Sequence, residues 1–185
     1  MGTRDVAKLA EWKSKSKGEV ASFQEAAKHG EIIILAVKGT AAEAALDLSG
    51  AEYLRGKTII DTTNPIADLP PVNGVLQFFT SINSSLMESL QTKFPEANFV
   101  KAFSCVGAHL MVDPDFGGIK PTMFIAGNNA KARDAVKSIL DSFGWETEDL
   151  GAAAAARSIE PLCILWCIPG FNENRWTHAF KLLKK

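Results

Sequence analysis

Two hydrophobic rhythms alternate along the chain. Short continuous apolar runs closed by Gly or Pro are separated by Ala-rich stretches whose apolar residues return every three or four positions. The first rhythm reads as strands buried on both faces, the second as helices packed on them. In residues 5–17, Val6, Leu9, Ala10 and Trp12 recur near helical spacing with lysines opposite, which predicts a surface helix. Residues 19–23 read as a short strand, and 24–29 as one or two helical turns closed by Gly30. Residues 31–37 form the clearest strand, because a continuous, largely β-branched run is best satisfied at the centre of a sheet. An Ala-rich helix over 40–48 and a return over 50–57 lead to a second buried strand, 58–63, stopped by Asn64 and Pro65.

Residues 66–80 hold two prolines and a glycine, a loop of a length that usually carries function. A helix follows over 84–92, then strands over 98–103 and 122–126. A long amphipathic helix over 129–143 is predicted to turn Ala135, Ile139 and Leu140 inward, and 145–148 reads as an edge strand. Beyond Gly151 the chain is strongly apolar up to Ile168, and Pro169-Gly170 is expected to end it. Pro161 is tolerated best in a first helical turn, so the main helix is placed from near Glu160, with 152–156 a separate short piece. The pattern predicts an α/β fold: a Rossmann-like three-layer sandwich with a mostly parallel sheet over residues 1–150. Residues 151–185 add an apolar C-terminal helix that packs on that domain or on a partner.

Composition narrows the function classes. Twenty basic and 21 acidic residues give a formal net charge of −1, without the basic excess of a nucleic-acid binder. No apolar run reaches the roughly 20 residues that cross a bilayer, and the N-terminus has no signal-peptide core, so a cytoplasmic protein without membrane contact is expected. Cys105, Cys163 and Cys167 cannot all pair and show no metal-binding spacing, which fits a reducing compartment. Neither they nor His29, His109 and His178 form a catalytic or metal constellation, and no catalytic residue is assigned.

Candidate chemistry sits at strand ends. Gly-x-Gly-x-x-Gly, Walker and nucleophile-elbow motifs are all absent. The chain opens with Met1-Gly-Thr-Arg-Asp5 leading into a helix, the place where a doubly wound NADP enzyme holds the 2′-phosphate, with Arg4 as a charged fork and Thr3 as a second donor. A plain loop with Arg4 in solvent is the alternative. Asn64 follows a buried strand at its carboxyl end, where it either serves a ribose or nicotinamide amide or only makes an Asn-Pro turn. Lys38 and Thr40 follow the other central strand, where they meet phosphate or Thr40 simply caps a helix. Phe103, Ser104, Leu162 and Trp166 are the candidates for a second, substrate pocket, with core or dimer packing the competing role of Leu162 and Trp166.

From Gly2 to about Trp166 the sequence resembles the NADP oxidoreductases related to deazaflavin (coenzyme F420)-dependent NADP reductases. The resemblance is carried by Gly2-Thr-Arg-Asp5, Leu35-Ala-Val37, Asp61-Thr-Thr-Asn-Pro65, Val100-Lys-Ala-Phe103, Gly107-Ala108, Phe124-Ile-Ala-Gly127 and Ile159-Glu-Pro-Leu162. It implies NADP(H) as cofactor, with Ala36, Val37, Pro65 and Ala102 joining Thr3, Arg4, Lys38, Thr40 and Asn64 along the cofactor. It also implies a deazaflavin or other small redox substrate. Two departures stand out: Ser104 takes a position where the family usually has Asn, and the family's first strand and Gly-rich turn have no counterpart ahead of Thr3. The fold is therefore expected to be N-terminally incomplete, with two vacant strand positions, about 10 Å, between residues 19–23 and the strand at Ile32. NADPH binding to the chain as given is expected to be weak. An incomplete dinucleotide-binding or dimerisation module without catalytic activity is the alternative function. The apolar surface of residues 152–168 leads to the expectation of a homodimer that buries Trp166, or of a C-terminal segment around Phe171 and Trp176 that covers it within one chain.

Overall fold

The computed structural model describes residues 1–185. Asp5 caps a 3-10 turn at Val6–Leu9 that runs into helix α1 (Ala10–Lys15), and neither piece buries a residue. Residues 19–23 do not form the expected strand. Ser22 accepts from the Glu25 N–H while Glu25 accepts from the Ser22 N–H, and this capping box starts helix α2 (Phe23–His29) inside the apolar run. Of this run only Ala21 forms a β-bridge, in parallel with Gly2.

Strand β1 (Ile32–Leu35) is followed by a 3-10 turn (Gly39–Ala41), helix α3 (Ala42–Ser49) and a one-turn helix α4 (Ala51–Leu54) within the predicted return. Strand β2 (Thr58–Asp61), helix α5 (Leu86–Lys93) and strand β3 (Asn98–Lys101) complete a parallel sheet in the order β1-β2-β3. Strand β4 (Thr122–Ile125), helix α6 (Ala130–Ser142) and strand β5 (Glu146–Asp149) form a second parallel pair. One antiparallel bridge, Lys101 to Ala126, joins the two sheets. The β1 run was expected at the centre, but β2 flanks it on one side only, so it lies at an edge with Ile34 61% exposed.

Side chains alternate across the sheet. Ile33, Ile59 and Phe99 are in register and face a core shared with α2, α3, α5 and α7 (Ala156–Ile159). Ile60 and Val100 face the opposite core, which α6 covers with Ala132, Val136 and Leu140. Val136 rather than Ala135 therefore centres the inward face of α6; Ala135 and Ile139 flank it, partly buried. On this second face nothing covers Ile34.

Helix α8 (Leu162–Glu173) passes through Pro169, where it was expected to stop. Proline costs one backbone hydrogen bond there, and Gly170 beside it admits the Trp176 ring so closely that a methyl group would lie 2.2 Å from it. The chain reverses at Asn174, in the left-handed conformation. Its tail then lies along β4, where the Thr122 N–H donates to the Phe180 carbonyl at 2.8 Å. Trp166 is covered by this tail: its indole N–H donates to the His178 carbonyl at 2.8 Å and its ring stacks 5.0 Å from the His178 ring. No helix is long and apolar enough to cross a membrane.

Candidate functional site

The carboxyl ends of β1, β2 and β3 are tied together one residue at a time. Thr62 donates both its N–H and its hydroxyl to the Leu35 carbonyl, joining β2 to β1. Just beyond, Gly39 packs so tightly on Asn64 that a Cβ would lie 1.9 Å from the Asn64 carbonyl oxygen. Asn64 Nδ2 then donates to the Ser104 carbonyl at 2.9 Å, joining β2 to β3. Phe103 takes a left-handed conformation, φ 59°, which turns the chain sharply after β3.

Two side-chain atoms at this junction are buried without a hydrogen-bond partner: Asn64 Oδ1 and Ser104 Oγ. Buried polar atoms are nearly always satisfied, so a pair of orphans at the carboxyl end of a parallel sheet marks a place for a ligand. Pro65 and Ala102 are buried beside them, and Phe103 is 7% exposed.

Behind the junction lies a fully buried ionic cluster. Lys101 Nζ is 2.7 Å from Asp61 Oδ2, 2.9 Å from Glu160 Oε1 and 2.8 Å from the Thr63 carbonyl, with all three side chains essentially inaccessible. The Asp61 approach is too bent for a good hydrogen bond but keeps its Coulombic attraction. Burial alone would push the Lys101 ammonium down; Asp61 and Glu160 outweigh it, and the net shift is upward. Asp61 Oδ1 accepts from the Thr63 N–H and hydroxyl, which shapes the backbone leading into Asn64. Glu160 accepts from the first N–H groups of α5, at Leu86 and Met87. The cluster was not singled out from sequence. Its signal was present, a lysine and an aspartate inside apolar strands where both faces are covered.

The remaining predicted residues scatter. Ala36, Lys38 and Thr40 are exposed and Val37 is half-buried. Lys38 pairs with Asp68 of the following loop. Thr40 caps nothing; it lines a cleft of about 310 Å³ with Gly39, Ala67, Asp68, Phe79 and Leu86. Thr3 and Arg4 lie on the far side of an apolar slot from β1. The Thr3 hydroxyl serves the Asp5 backbone, and Arg4 is exposed with no ion pair. Leu162 is half-buried, and Trp166, beneath Trp176 and His178, contacts the loop after β3 at Gly107.

For NADP the fit divides along the molecule. The orphan pair and the Gly39 approach suit the amide and ribose of a nicotinamide end, and unpaired Arg4 suits a phosphate. The slot between them is lined by apolar residues from Met1, Gly2, Phe23, Ala26 and β1, with no charged side chain to meet a pyrophosphate.

A parallel sheet with helices on both faces and tightly turned carboxyl ends defines a Rossmann-like α/β protein. Residues 1–65 match the family described as NADP oxidoreductase, coenzyme F420-dependent. A provisionally assigned F420-dependent NADP-reductase from Arthrobacter sp. FB24 superimposes with a TM-score of 0.91 at 32% identity, covering 99% of this chain and 87% of its own. The chain belongs to this family of NADP-linked oxidoreductases. A hypothetical protein from Sinorhizobium meliloti (TM-score 0.70, 23% identity, 99% of this chain, 82% of that one) has the same fold. So does an imine reductase from Streptomyces aurantiacus (TM-score 0.64, 12% identity, 91% of this chain, 53% of that one).

Proposed function

We propose that the chain serves an NADP(H)-dependent hydride transfer to or from a deazaflavin or another small redox partner. The observation that carries the reading is the orphan pair, Asn64 Oδ1 and Ser104 Oγ, buried where β1, β2 and β3 end. A carboxamide–carboxamide or carboxamide–hydroxyl pairing with the nicotinamide would satisfy both atoms. The bound nicotinamide supplies the hydride chemistry, which needs no protein acid or base.

The chain's own residues position and exclude. Asn64 is held by the Ser104 carbonyl and oriented through Thr63 and Asp61, so its free oxygen points in one direction. Gly39 lets the β1 and β2 ends close on each other, which keeps water from between them. Arg4 and Thr3 are assigned to the 2′-phosphate, and Phe103 with Leu162 to the wall of the second substrate. Trp166 is assigned to supporting that wall rather than touching substrate, because its own tail covers it. A homodimer is proposed on the exposed Leu165 and Phe171 of α8.

The test is an NMR titration of the 185-residue chain with millimolar NADPH and, separately, NADH. The amides of Arg4, Asn64 and Ser104 should shift with NADPH at several-fold lower concentration, and Arg4→Ala should abolish the difference. Equal responses to the two cofactors would reject the assignment. The second reading, a module without catalytic activity, is favoured by the apolar slot, and it predicts no response at Asn64 or Ser104 to either cofactor.

A further inference from the structure

One ammonium faces two carboxylates in the buried cluster behind Asn64. Lys101 meets Asp61 and Glu160, the formal sum is −1, and no second cation lies within ion-pair distance of either carboxylate. The two acids differ in what else offsets them. Glu160 accepts from the Leu86 and Met87 N–H groups at the start of α5, where the helix dipole adds positive charge. Asp61 has no helix end: Oδ1 takes the Thr63 N–H and hydroxyl, and Oδ2 meets Lys101 only by the bent approach. Lys101 itself is shared with Glu160 and with the Thr63 carbonyl. The surplus negative charge therefore falls on Asp61, which hydrogen-bonds the residue immediately before Asn64. Charges elsewhere around the junction do not cancel it. Lys38 is exposed and paired with Asp68, and Arg4 stands in solvent across the apolar slot, so both are screened.

We propose that the uncompensated charge of Asp61 makes this junction favour a positively charged ring over a neutral one of the same shape, and so biases a bound nicotinamide toward its oxidised form. The inference rests on the reading above that the nicotinamide end of the cofactor lies at Asn64 and Ser104. Hydride transfer breaks a C–H bond of the ring and joins the same hydrogen to the acceptor, which takes both electrons. The ring is oxidised and gains one positive charge. A fixed negative charge in a water-excluded site stabilises that charged form and not the neutral one. A site shifts an equilibrium only by its differential affinity for the two forms, and Asp61 supplies the difference. The favoured direction is from NADPH to the second substrate. At an effective dielectric constant near 20, a unit charge acting over ~10 Å corresponds to a preference of about tenfold.

The test is a set of equilibrium titrations of the 185-residue chain, read by NMR at the Asn64 and Ser104 amides. The probes are the 1-methylnicotinamide cation and its neutral 1,4-dihydro form, then NADP⁺ and NADPH. In the parent the cation should act at a concentration lower than its neutral form by about threefold or more. Asp61→Asn and Glu160→Gln each remove one negative charge, and each should weaken NADP⁺ relative to NADPH by about three- to tenfold. A role confined to holding the fold would weaken both forms alike, and an unchanged ratio in the folded variants overturns the proposal. So does an equal or stronger response to the neutral ring in the parent, a result that needs no variant to fold. Amides unmoved by all four probes reject the nicotinamide assignment, and this inference with it; amides that move without regard to charge reject this inference alone.

Discussion

A methyl group placed on Gly39 would sit 1.9 Å from the carbonyl oxygen of Asn64, and 2.9 Å from its carbonyl carbon. Backbone on both sides leaves no flexible side chain to yield, so Gly39→Ala must push β1 and β2 apart at their carboxyl ends. The expected cost is about 1–3 kcal/mol, the usual range for overpacking a filled site. Chemical denaturation checks it, and the Asn64 side-chain amide should lose its NMR protection as its bond to Ser104 lengthens. A variant as stable as the parent would show that the approach is not tight.

Lys101 neutralises two buried carboxylates, and removing it should do more harm than removing either of them. Lys101→Met leaves Asp61 and Glu160 facing each other without a cation, an expected loss of about 3–5 kcal/mol. The pH dependence supplies the sign. In the parent the Lys101 ammonium is raised above 10.5, so its contribution is complete below that pH and is lost only as pH rises past the raised value. The variant has no ammonium to lose, so the parent's advantage should hold steady below pH 10.5 and shrink above it. Melting curves on the two sides of that pH decide the point.

The three cysteines should differ in reactivity although they share one region of the fold. Burial pushes the Cys105 thiol up to about 12. A hydrogen bond from the Cys163 thiol holds half-buried Cys167 below its usual value against the opposing effect of burial, and Cys163 is raised correspondingly. Since the thiolate is the nucleophile, iodoacetamide at pH 8 should label Cys167 first. Cys105 and Cys163 should react only on unfolding. Peptide mass spectrometry reads the order, and equal rates at Cys105 and Cys167 would contradict it.

Arg157 grips Glu88 with two nitrogens, at 2.9 Å from Nε and 2.7 Å from Nη2, and so clips α7 to α5. The Arg157 bond, with help from Ser85 and against burial, holds Glu88 below its usual value of 4.5. Stability from this pair is therefore complete above pH 4.5 and lost as pH falls through the lowered value. Arg157→Ala should lower the melting temperature only slightly at neutral pH, as for exposed pairs, and the difference from the parent should vanish by pH 3 in thermal melts.

What the sequence determined by itself was the set of elements whose local signals are strong. Ile32–Leu35, Thr58–Asp61, Asn98–Lys101 and Thr122–Ile125 are strands because each is a short apolar run between breakers, and Ala130–Ser142 is a helix capped by Asn129. Asn64 and Ser104 were legible as strand-end residues for the same reason. Tertiary structure decided what depends on neighbours distant in the chain. Whether β1 is central or at an edge depends on what lies beside it, which its own residues do not encode. The Ser22 cap outweighed the strand preference of Val20 to Phe23, since a residue already hydrogen-bonded into a helical turn is unavailable to a sheet. The ion cluster of Lys101, Asp61 and Glu160 forms only once β2, β3 and the end of α7 are stacked. Likewise Pro169 breaks a helix in isolation, but packing of Trp176 on Gly170 and of His178 on Trp166 holds α8 through it.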